Sequence, residues 1–75
     1  MDFETIKQKY LETKSLKFKL YSLEYIIEDI NNKVNVYAIL YPNRKLSYNS
    51  IEEAFNHFEV YNISLMNSLD RIQII

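Results

Sequence analysis

Apolar residues recur along the chain with two different periods, and the switches between them divide it into elements. Phe3, Ile6, Tyr10 and Leu11 are spaced at offsets of 3, 7 and 8 residues, which places them on one face of a helix capped by Asp2. Lys7, Lys9, Glu4 and Glu12 fall on its solvent side, and Thr13 to Ser15 ends it. Leu16, Phe18 and Leu20 then alternate with Lys17 and Lys19, the period of a half-buried strand. The parity slips at Leu20-Tyr21, after which Leu23, Tyr25 and Ile27 carry the apolar set. That slip fits one strand with a bulge or two short strands. Leu20, Leu23, Ile27 and Ile30 also fit a helix capped by Ser22, and periodicity alone does not separate the readings.

Residues 31–41 favour the strand. Asn31-Asn32 is a two-residue hairpin turn in outline, because asparagine tolerates the left-handed backbone, and Val34 to Tyr41 is rich in β-branched and aromatic residues. A turn there pairs Ile27 with Val36, Tyr25 with Ala38 and Leu23 with Leu40, all on one face with Val34. Glu24, Ile26, Glu28, Tyr37, Ile39 and Tyr41 share the other face, which is too apolar to stand simply in water. Pro42-Asn43 predicts a second turn and a short third strand, setting Leu46 and Tyr48 opposite Ile39 and Tyr37. Ser50 with Glu53 three residues on is a capping box, opening a helix whose stripe is Ile51, Ala54, Phe55 and Phe58. Asn62 or Ser64 caps a further helical stretch carrying Leu65, Leu69 and Ile72, before Ile72, Ile74 and Ile75 return to strand character. The expected fold is α+β: an N-terminal helix, a three-stranded antiparallel β-meander, a helix packed on the sheet and a short mixed C-terminal segment. No linker or repeat divides residues 1–75, which read as a single domain.

Composition narrows the chemistry. The chain has no glycine and no cysteine, which removes phosphate-cradling loops, nucleophile elbows, thiolates and cysteine-based metal sites in their usual forms. Ile, Lys, Asn, Tyr and Phe dominate instead, the usage expected of an AT-rich bacterial or phage genome. Backbone positions needing positive φ must pass to other residues, asparagine first, of which there are eight. No apolar run is long enough to span a bilayer and the N-terminus lacks a signal-type core, so a cytoplasmic location is expected.

His57 is the lone histidine, one helical turn after Glu53, and nothing supplies the further ligands or the nucleophile that a metal site or triad needs. Glu52-Glu53 sits where acids favour a helix N-terminus, and Glu28-Asp29 points to opposite faces of a strand. Asn62-Ile63-Ser64 matches a glycosylation sequon but carries no weight without secretion. The expectation is therefore a protein without catalytic residues, cofactor, metal or small-molecule substrate. It would act on another protein, or on a second copy of itself, through a sheet face of Tyr37, Ile39, Tyr41, Leu46 and Tyr48.

The alternative is DNA binding. Residues 50–72 resemble a helix-turn-helix in outline, held by Phe55, Phe58, Val60, Leu65 and Leu69, with Asn62, Ser64, Asn67, Ser68 and Arg71 facing the nucleic acid. Charge weighs against it: residues 46–75 carry four acids and one Arg, while five of the lysines lie in residues 1–20 against three acids. Glu59 also stands in the turn and bulky Phe55 at the point of helix approach.

Overall fold

Asp2 accepts the Thr5 N–H at 2.9 Å, and this backbone bond holds its carboxyl below the usual carboxylate range. The computed structural model describes residues 2–75. Helix α1 (Phe3–Thr13) buries Ile6 and Tyr10, with Phe3 packed at 5.1 Å between ring centroids against Phe55. Leu11 is exposed, contrary to expectation, because one further residue rotates it about 100° away from Tyr10. Lys14 ends the helix in the left-handed region at φ 60, its N–H donating to the Tyr10 carbonyl at 2.6 Å.

Strand β1 (Ser15–Leu20) buries Leu16, Phe18 and Leu20, as the alternation predicts. The slip at Leu20-Tyr21 is neither a bulge nor a helix cap. It is a hairpin turn of two residues, Tyr21-Ser22, leading into β2 (Leu23–Ile30), with Leu20 opposite Leu23. Two residues of turn place positions i and i+3 on the same face, so the apolar parity changes while the core face does not. Asn31 and Asn32, at φ 54 and 64, turn the chain into β3 (Lys33–Ala38), with Ile27 on Val36 and Tyr25 on Ala38 as expected.

The expected Leu23–Leu40 pair does not form. The Ile39 N–H still donates to the Glu24 carbonyl, but β3 ends at Ala38 and Leu40 stands 71% exposed. A 3₁₀ turn at Pro42–Arg44 precedes β4 (Leu46–Tyr48), which sets Leu46 opposite Val36 and Tyr48 opposite Val34. Relative to the expected Ile39 and Tyr37 partners the register has moved three residues, and an odd shift turns every side chain of a strand to the other face. The cause is the connection: the chain turns back at Tyr41, whose N–H donates to the Ala38 carbonyl, before the 3₁₀ turn is added.

Ser50 caps α2 (Ile51–His57) by accepting the Glu53 N–H at 3.0 Å, and Ile51, Ala54, Phe55 and Phe58 are buried. Two short strands come next, β5 (Glu59–Val60) and β6 (Ile63–Ser64), joined by Tyr61 and Asn62 at φ 55 and 64. Residues Met66–Arg71 form a 3₁₀ segment, and β7 (Ile72–Ile74) pairs antiparallel with β1. The sheet has five strands, ordered β4-β3-β2-β1-β7, where three were expected. The additions are the split of residues 15–30 into two strands and the return of the C-terminal segment to the sheet. Both helices cover one face, enclosing Ile6, Phe18, Leu20, Ile27, Val36, Phe55 and Leu65, and Lys7 pairs with Glu52 between them.

Candidate functional site at the apolar end of the sheet

No helix covers the opposite face, and the alternation explains how it stays in water. Lys17, Lys19, Glu24, Glu28, Lys33 and Tyr37 point to it together with half-buried Ile26 and Ile30, each out of step with the buried set of its strand. Tyr37 donates its hydroxyl to Glu28 at 2.9 Å and carries the Lys45 ammonium 4.7 Å from its ring centroid. The bond to Glu28, with burial adding to it, raises the Tyr37 hydroxyl above the ordinary tyrosine value. Asn35, 94% buried, accepts from the Ser47 hydroxyl at 2.7 Å. A face of alternating charges with its aromatic ring and hydroxyl already engaged is stable in water, as one-sided antiparallel sheets are. The alternation pattern overestimated its apolar character because Ile39 and Tyr41 lie past the end of β3.

The five residues expected to form one surface therefore separate. Tyr37 belongs to the charged face, Ile39 and Tyr41 to the end of the sheet, Leu46 to the β4 edge, and Tyr48 to the core side, where burial pushes its hydroxyl up. Of the nine exposed large apolar residues among those described, five lie at the end of the sheet where β1 stops and β2 starts. Tyr21, Ile39, Leu40, Tyr41 and Tyr61 are all exposed here. Ser22, Leu23, Glu24, Ile39 and Leu40 line an open concavity of about 300 Å³. Tyr21 and Tyr61, from turns forty residues apart, meet edge to face at 5.2 Å, and Arg71 lies 6.0 Å from the Tyr21 ring. Arg44 lies 5.7 Å from the Tyr41 ring.

Tyr21 and Tyr61 are also backbone outliers. Both occupy the left-handed region, at φ 57 and 55, where a bulky side chain costs roughly 1–2 kcal/mol. Asparagine fills the same role at Asn31, Asn32 and Asn62, so the tyrosines are not what the turns themselves require. Neither stands out from sequence, nor does Leu40, whose pattern assigns it to the core. The available signal is positional: in Tyr21-Ser22 and Tyr61-Asn62 a tyrosine stands at the first turn position beside an ordinary turn residue.

The helix-turn-helix outline over residues 50–72 is not the geometry found. A β-hairpin occupies the position of the turn and a six-residue 3₁₀ segment that of the second helix. Ser68 is 99% buried and donates to the Ser64 carbonyl at 2.9 Å, while the Ser64 hydroxyl accepts the Asn67 N–H at 3.2 Å. Asn62 is at the hairpin tip, Asn67 is exposed on the 3₁₀ segment and Arg71 rests on Tyr21. Glu53 turns back to accept the Asn49 N–H at 3.0 Å rather than joining His57.

The fold and its apolar end define a small α+β protein with two helices on one face of a five-stranded antiparallel sheet. No known protein family, no curated protein and no solved structure matches the chain. Among the described residues no helix is long and apolar enough to cross a membrane.

Proposed function

We propose that the chain is a non-enzymatic protein-interaction module that docks through the apolar end of its sheet. The observation carrying this reading is the concavity lined by Leu23, Ile39 and Leu40, with exposed Tyr41 next after Leu40 and the Tyr21–Tyr61 ring pair next before Ser22, while the opposite end presents Asn31, Asn32 and Lys33. Scattered exposed apolar residues need no explanation, but a contiguous apolar patch with polar surroundings is what an interaction site requires. Tyrosine suits such a site, since its two-torsion side chain offers large contact area for little lost freedom. Two left-handed tyrosines, each less favourable in its turn than asparagine, support the same reading, because local strain collects where a side chain is needed for something other than folding.

The experiment is a paired comparison of wild type with Leu40→Asp and with Tyr61→Asn. Leu40 and Tyr61 are 71% and 74% exposed, so neither change disturbs the core, and Tyr61→Asn relaxes the turn. Both variants should unfold at or above the wild-type temperature while association with self or with a host protein is lost. Association that survives in both would refute this site.

A further inference from the structure

Resting on that reading of the apolar end, we infer that its partner is a second copy of this chain. Tyr41 of each copy would fill the Leu23, Ile39 and Leu40 concavity of the other, and Arg44 would meet Glu24.

Three observations converge on this pairing. The first is size and position. The concavity of about 300 Å³ can take one aromatic side chain, and Tyr41, 51% exposed, follows directly on Leu40 at its rim. Hole and insertion thus belong to one surface, so a two-fold axis exchanges two identical insertions, as an isologous dimer requires.

The second is charge. Glu24 is the only charged residue lining the concavity, and Arg44 is held 5.7 Å from the Tyr41 ring by a turn in which its N–H donates to the Tyr41 carbonyl at 3.0 Å. Among the described residues the ion pair is Lys7–Glu52, which leaves Glu24 and Arg44 both without one inside the chain. Lys19 stands across the strand from Glu24 but forms no ion pair with it. A surface meeting its own copy must carry both signs, displaced from each other, or it repels itself. Here the acid lies in the hole and the base on the insertion.

The third is area. At their observed exposures Tyr21, Ile39, Leu40, Tyr41 and Tyr61 offer on the order of 600 Å² per copy. Complete covering of that surface on two copies would bury at most about 1,200 Å², the lower limit of specific interfaces, which fits a weak dimer. A domain of 75 residues without disulfides gains more from such burial than a larger one would.

The test is a charge-exchange experiment read by sedimentation velocity, from about 1 µM to about 500 µM. Wild type should pass from monomer to dimer in that range. Glu24→Arg and Arg44→Glu should each dimerise at least about tenfold more weakly, because each places like charges in both contacts. An equimolar mixture of the two variants should recover wild-type affinity as a heterodimer, since every Glu then faces an Arg again. Circular dichroism checks that both variants fold. Wild type that stays monomeric throughout, or variants that do not rescue each other, would overturn the self-pairing. If a monomeric wild type still takes a host protein that Leu40→Asp fails to take, the self-pairing falls and the interaction site stands. If no such protein is taken, both fall.

Discussion

Replacing Lys14 by glycine should stabilise this glycine-free protein, and the size of the effect comes from backbone geometry. Lys14 is exposed and holds φ 60, ψ 23 at the end of α1, with its N–H bonded to the Tyr10 carbonyl and its carbonyl accepting from Asp29. An L-residue in the left-handed region costs roughly 1–2 kcal/mol through the clash of Cβ with the following carbonyl oxygen, and glycine removes that clash. Against this stands glycine's greater freedom in the unfolded chain, roughly 0.5–1 kcal/mol. The net gain is about 0.5–1 kcal/mol, a rise of about 2–8 °C in Tm for a domain of this size.

The control is Gln8→Gly, an exposed position inside α1 with ordinary helical backbone. There only the entropy remains, and Tm should fall by a similar amount. Lys14→Ala, which keeps Cβ, should leave Tm nearly unchanged and so isolates the lysine side chain from the backbone effect. Calorimetry of the three variants reads the sign directly. A Lys14→Gly Tm that falls as Gln8→Gly does would refute the argument that steric strain at this cap outweighs glycine entropy.

The remaining predictions concern the cap, the core and the ion pair. Ser50→Ala removes the acceptor for the Glu53 N–H and should cost about 1 kcal/mol in urea unfolding. Tyr10→Phe should be neutral or stabilising by up to about 1 kcal/mol. The Tyr10 hydroxyl is buried without a hydrogen-bond partner, and burial, followed by the charges of Asp29 and Glu28, pushes it up. A loss of stability in that variant would show that the hydroxyl has a partner in solution. The hydrogen bond from Lys7 lowers the Glu52 carboxyl, and the same bond raises the Lys7 ammonium. Glu52 thus contributes stability above its unfolded value, about 4.3, and loses it as pH falls through its lower folded value. Lys7 contributes fully below its unfolded value, about 10.4, and loses it as pH rises through its higher folded value. Wild type should therefore exceed Glu52→Gln in urea midpoint at pH 7 and converge with it under acid. A gap that persists at pH 2 would remove the ion pair as its cause.

The sequence alone determined what short-range physics controls. The α1 and α2 stripes, the Asp2 and Ser50 caps, the β1 alternation and the Asn31-Asn32 hairpin with its Ile27–Val36 register all depend on residues within a few positions of one another. Each appears in the structure where the pattern placed it, except that Leu11 leaves the α1 stripe for the surface. Other features were decided by contacts distant in sequence. The parity slip at Leu20-Tyr21 left a bulge, two short strands and a helix open, and the pairing of Leu20 with Leu23 selects the two strands. The partner of β7 is β1, fifty residues earlier, and nothing near Ile72 encodes that choice. The register of β4 depends on how many residues the chain spends turning at Tyr41 and Pro42, and the three-residue difference moved Leu46 and Tyr48 off the face assigned to them.

The candidate site divides in the same way. Ile39 and Tyr41 were legible as surface residues of a β-rich segment. Leu40, Tyr21 and Tyr61 join them only because the sheet ends at Ala38 and two hairpin tips meet there. An apolar residue looks the same in sequence whether the last strand pairing covers it or stops just short of it, and that pairing is set by the whole sheet.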